Sequence, residues 1–132
     1  MPRVVLGIGC DRGAAEETVA AAVAAALAEA GLCNADVVAV ASIDLKRDEP
    51  ALHALARAHG WPLVFYPATQ LAAIPVPHPS EVVRRHTGTP AVAEAAALCR
   101  ADADSADLII EKRRWRGGDG RNATVSIARL NA

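Results

Sequence analysis

The sequence predicts an α/β fold, a three-layer α/β/α sandwich with a mainly parallel sheet and an antiparallel hairpin at its C-terminal end. Three observations carry this expectation. Short Val/Leu/Ile-rich runs alternate with Ala-rich stretches of helical spacing, the rhythm of βαβ units. The run VVAVAS at 37–42 is apolar without alternation, as a strand covered on both faces requires. Two β-rich runs joined by Gly117, Gly118, Asp119 and Gly120 end the chain, the signature of a hairpin.

Residues 3–8, RVVLGI, are read as the first strand, followed by a polar turn of Gly9, Cys10, Asp11, Arg12 and Gly13. A helix is expected over 14–30, because Val19, Val23 and Leu27 recur every four residues, Glu16 and Glu17 occupy the first turn and Gly31 follows the end. After the strand at 37–42 comes a polar loop, 42–49. Asp48 is expected to cap the next helix, which has Pro50 in its first turn, Leu52, Leu55 and Ala56 on one face and Gly60 as its stop. PLVFYP reads as a third strand and TQLAAI as a short helical turn. PVPHPS is a proline-rich crossing whose Ser80 caps EVVRRH, and Thr89 before Pro90 opens an Ala-rich helix from 90 to 101. DLIIEKRRW and ATVSIARL form the terminal hairpin.

At 132 residues, the chain is expected to be one domain, 1–132. Apolar residues make up 52% and aromatics only 3%, so its core must be assembled from Ala, Val, Leu and Ile in close contact. A net charge of -1, from 14 basic and 15 acidic residues, lacks the positive excess of a nucleic-acid or anionic-membrane binder. The N-terminal apolar run is too short for a signal sequence or a spanning helix, and a cytoplasmic location is expected. Cys10, Cys33 and Cys99 are widely spaced, and His53, His59, His78 and His86 are scattered. Neither a disulfide framework, a metal site nor a cofactor is expected from them.

GIGCDRG at 7–13 superficially resembles a phosphate loop, with a plain turn as the competing reading. ASIDLKRDE at 41–49 crowds Ser42, Asp44, Lys46, Asp48 and Glu49 at one strand end, and Lys46 is the preferred functional residue there. Ser80, Thr87, Gly88 and Thr89 mark two further helix N-termini able to hold a carboxylate. Glu94, alone on an Ala/Val/Leu helix, either faces solvent or points into the site. KRRWR at 112–116 reads as an exposed hairpin tip rather than an RNA contact. Loops after parallel strands share a side, so 9–13, 42–49 and 87–89 are expected on one edge of the sheet.

In order, GIGCDRG, ASIDLKRDE, VPHPSEVV, TGTPAVAEAAAL, IIEKRRW and ATVSIARL resemble the cobalamin-biosynthesis CobE family, and with it the C-terminal part of CbiG proteins. The resemblance runs almost from end to end and looks like the stand-alone form. It implies work on a corrinoid or precorrin, since CbiG proteins open a ring lactone on a cobalt-precorrin and release a two-carbon aldehyde; other enzymes of the pathway would be partners. Such ligands carry several acetates and propionates around a broad apolar ring. The binding residues expected for them are Gly9, Arg12, Gly13, Ser42, Lys46, Ser80, Thr87, Gly88, Thr89 and Lys112. Lys46, Glu49 and Glu94 are the candidate acid/base groups, and Cys10 is read as an inert, half-buried thiol. Catalyst and carrier both fit, and a phosphate or nucleotide binder or a ligand-free interaction subunit are the other classes.

Overall fold

The computed structural model describes residues 3–76 and 92–130. Strand β1, Val4–Cys10, sends Val4, Leu6 and Ile8 to one face of the sheet and Val5 to the other, and all four are fully buried. Helix α1, Glu16–Ala30, follows; it buries Val19, Ala22, Val23, Ala26 and Leu27 and ends at Gly31, whose φ of 71° only glycine adopts without strain. Strand β2, Val37–Ile43, leads through a 3-10 turn, Asp44–Lys46, into helix α2, Pro50–His59. Strand β3, Leu63–Tyr66, and the short helix α3, Ala68–Ala72, come next. Helix α4, Val92–Ala101, precedes strands β4, Leu108–Arg116, and β5, Asn122–Arg129.

The five strands are ordered β3-β2-β1-β5-β4. The β1–β2 and β2–β3 pairs are parallel, whereas β1–β5 and β4–β5 are antiparallel. The sheet is therefore mixed, which corrects the expectation of a mainly parallel one. The reason lies in the hairpin. Its second strand, with Ala123, Val125, Ile127 and Ala128 buried, takes the inner place beside β1 in unbroken register from Val4↔Arg129 to Cys10↔Ala123. Its first strand, carrying Glu111, Lys112, Arg113 and Arg114, is left at the rim, where charge is tolerated and discourages edge-to-edge pairing.

Helices cover both faces. α1 and α2 pack on one side of the sheet, and α3 and α4 on the other. α4 lies unusually close, because its buried face is Ala93, Ala96, Ala97 and Ala101 and the strand beneath it offers Gly7. A Cβ on Gly7 would collide with the Ala93 carbonyl and lie 2.8 Å from the Ala97 nitrogen. The near absence of aromatics thus has a structural counterpart, since small side chains let backbone approach backbone.

Two boundaries differ from expectation. α1 begins at Glu16 rather than 14, and Asp48 does not cap α2: the N-cap position belongs to Glu49, which makes no side-chain capping bond. Asp48 turns to an ion pair instead. The EVVRRH segment with its Ser80 cap and the Thr89–Pro90 helix start lie outside the described residues, which contain the helix from Val92 onward.

Candidate functional site

The loops after β1 and β2 meet at the carboxyl edge of the sheet, and they are locked to each other. Arg12 Nη1 lies 2.9 Å from Asp48 Oδ1 and 3.2 Å from Glu49 Oε1, while Nη2 donates to the Leu45 carbonyl at 2.6 Å. Glu49 is buried to 1% exposure, and its two oxygens accept from the Gly13 N–H at 3.3 and 3.2 Å. The Arg12 hydrogen bond holds the Asp48 carboxyl below the usual carboxylate value. Ser42 was expected to face a ligand. It is fully buried and donates from Oγ to the Ile8 carbonyl at 2.6 Å, a tie between β2 and β1 beneath the loops.

The hairpin turn reaches the same edge from the far end of the chain. Asp119 accepts from the Ala15 N–H at 2.8 Å, the Thr18 hydroxyl at 3.0 Å and the Arg121 N–H at 3.0 Å. These donors, Ala15 foremost, hold its carboxyl below 3.8. Ala15, the N-cap of α1, has no side chain able to cap it, so Asp119 supplies from the hairpin what the local sequence lacks. Asp11 is fixed similarly, accepting from Asn122 N at 2.8 Å, and Arg121 Nε donates to the Arg12 carbonyl at 3.0 Å.

These contacts decide what the glycine loop can do. A phosphate loop needs backbone N–H groups aimed at an empty space before a helix. Here the Gly13 N–H faces Glu49 and the Ala15 N–H faces Asp119, so the chain's own carboxylates fill that place. The expected anion site at Gly13 is thereby corrected, and Arg12 reaches the surface already bonded to two carboxylates.

Lys46 is left differently. It is half-exposed on the turn after β2 and forms no ion pair with a described residue, since Arg12 takes Asp48 and Glu49. Its ammonium stands near the half-buried Cys10, whose thiol is pushed up to about 11 by burial, with Lys46 pulling the other way. A thiol so poised stays protonated at neutral pH, in keeping with the inert reading.

Glu94 does not face solvent. It is 1% exposed on the first turn of α4, with Oε1 3.5 Å from Lys112 Nζ on β4. Lys112 is thus engaged across the helix–sheet contact. Gly9 is half-buried near the end of β1, where a Cβ would meet nothing within 4 Å among the described residues. Ser80, Thr87, Gly88 and Thr89 lie outside the described residues. Sequence reasoning did not find Asp119, Asp11 or Arg121; their only local signal was a polar turn.

A mixed-sheet α/β sandwich whose loops and hairpin turn converge on one strand edge is the class that this geometry defines. Residues 4–128 match the family described as Cobalamin synthesis G C-terminus. Protein CobE from Sinorhizobium sp is 41% identical over 111 residues, covering 83% of this chain and 71% of that protein. The crystal structure of CobE, a protein from the cobalamin (vitamin B12) biosynthetic pathway, superposes with a TM-score of 0.84 at 37% identity, covering 98% of this chain and 95% of that one. A cobalt-precorrin-5A hydrolase from Priestia megaterium is 33% identical over 128 residues, covering 96% of this chain, which spans 32% of that protein's length. The chain belongs to the CobE/CbiG C-terminal family of cobalamin biosynthesis proteins. No helix among the described residues is long and apolar enough to cross a membrane.

Proposed function

We propose that the domain binds a precorrin-type corrinoid at the carboxyl edge of its sheet, with Lys46 taking an acetate or propionate of the ring, and that it passes the intermediate between pathway enzymes. The observation that carries this reading is the state of Lys46, a cation at that edge beside which the Asp48 and Glu49 carboxylates are held by Arg12, in a chain of a cobalamin biosynthesis family. A propionate meeting an ammonium partly shielded from water makes a charge-assisted contact of roughly 1.5–3 kcal/mol.

Binding is favoured because two of the three acid/base candidates are engaged within the chain. Glu49 is committed to Gly13 and Arg12, and Glu94 is buried beside Lys112; a general acid or base must reach the reacting group. A nucleotide-binding role loses its donors, because the N–H groups of the glycine loop face Glu49 and Asp119.

An absorbance titration with pathway intermediates tests the proposal. Wild type is expected to bind, and Lys46→Ala to bind about ten-fold or more weakly at low salt, with stability within roughly 0.5 kcal/mol. Equal affinities at low and high ionic strength would remove Lys46 from the site. ATP raising the melting temperature while corrinoids do not would overturn the proposal.

A further inference from the structure

The rim strand β4 treats its two faces unequally. On the α1 side, Arg113 lies 3.3 Å from Glu29 of α1 and 5.8 Å from the Trp115 ring, and Trp115 packs against the core. Alternation puts Lys112, Arg114 and Arg116 on the α4 side. Lys112 pairs with Glu94 there. Arg114 and Arg116 are both exposed, and neither forms an ion pair with a described residue.

Strand register extends this face inward. Arg114 is opposite Thr124 of β5, Thr124 is opposite Gly9 of β1, and Arg116 is opposite Asn122. Thr124 points to the α4 side, because Ala123 and Val125 on either side of it join the α1-side core. Among the described residues α4 ends its cover at Gly7, under Ala93, and one position further along the same face a Cβ on the half-buried Gly9 would meet nothing within 4 Å. This leaves, among the described residues, a shelf three strands wide, about 10 Å across two strand spacings, with Gly9 at one side and two guanidinium groups at the other.

Edge protection alone does not account for it. Charges on either face of β4 would discourage strand pairing, yet the arginine on the α1 side is paired with Glu29 while two neighbours on the shelf side have no acidic partner among the described residues. In a chain of net charge -1, this is a local concentration of positive potential.

We infer that Arg114 and Arg116, with the Thr124 hydroxyl, form a carboxylate-binding rim, and that the shelf from Gly9 to Thr124 receives the face of a planar polycarboxylate ligand. The inference rests on the corrinoid reading above and adds a second set of contacts to it. A guanidinium meets a carboxylate with two parallel N–H donors, which fixes orientation as well as charge.

The test uses cobyrinic acid, a corrin ring with free carboxylates, and its heptamethyl ester, titrated by absorbance at low salt. Wild type is expected to prefer the acid. Arg114→Gln/Arg116→Gln should weaken the acid by roughly ten-fold per arginine and leave the ester unchanged, while Arg113→Ala, on the opposite face, stays within about two-fold of wild type. Urea midpoints report whether each variant is folded. If the acid binds the double variant as it binds wild type, the shelf is not the site and the corrinoid reading stands. If neither compound nor a pathway intermediate binds wild type, that reading falls and the inference with it. Single-stranded RNA that binds wild type more tightly than the acid, and is released by the double variant, would also overturn it.

Discussion

Glu49 illustrates how a side chain with catalytic looks can be structural. Its carboxylate is buried and serves the Gly13 N–H and Arg12 together, so Glu49→Ala removes a charged acceptor from the Gly13 N–H and leaves a guanidinium short of one partner. The expected cost is about 1–3 kcal/mol, read as a lower urea midpoint at unchanged slope. Asp119 makes a prediction in pH. Its folded-state carboxyl titrates below 3.8 because the Ala15 and Arg121 N–H groups and Thr18 favour the charged form. That stabilisation is complete above the unfolded value and is lost as pH falls through the folded one. Asp119→Asn should therefore melt lower than wild type at neutral pH and show a flatter acid limb, measured by thermal melts from neutral pH downward. For Cys10 the sign reverses: a thiol raised from 9.0 to about 11 by burial favours the folded state below pH 9.0, an advantage that fades as pH rises through 11. At neutral pH, iodoacetamide should modify the exposed Cys33 well before Cys10, an order that mass spectrometry resolves.

Among the elements, α4 depends most visibly on a single residue of another. Gly7 of β1 lets the Ala93–Ala97 turn of the helix sit against the strand, so Gly7→Ala requires α4 to move away from the sheet or β1 to bend. Overpacking of this kind costs about 1–3 kcal/mol, and the displaced helix should also expose Val5 and Ala128, against which its own Leu98 packs. A lowered urea midpoint with increased binding of a hydrophobic dye is the expected result; an unchanged midpoint would mean that the contact is loose. α1 makes the opposite point. Its periodicity and its Gly31 stop were plain in the sequence, but the group that caps its N-terminus comes from the turn between β4 and β5.

For the molecule as a whole, the strand order sets a gradient of stability. β1, β2 and β5 are paired on both sides, whereas β3 and β4 are rims. Amides of β1, β2 and β5 should exchange slowest in hydrogen-exchange measurements, and those of β3 fastest among the strands. Faster exchange in β5 than in β4 would contradict the strand order. The same order marks the limit of sequence reading. Every strand and helix expected within the described residues is present close to its expected bounds, because hydrophobic period, turn glycines and helix-start prolines act over a few residues. The convergence of the first two loops was also readable, since successive parallel strands deliver their loops to one side. Three things were decided only by the tertiary structure: β5 inserting beside β1, the capture of Arg12 by Asp48 and Glu49, and the filling of the glycine loop by the chain's own carboxylates. Each joins residues far apart in the chain, so each depends on which buried strand and which charge pair pack best once the helices have closed over the sheet, and local pattern carries no record of that choice.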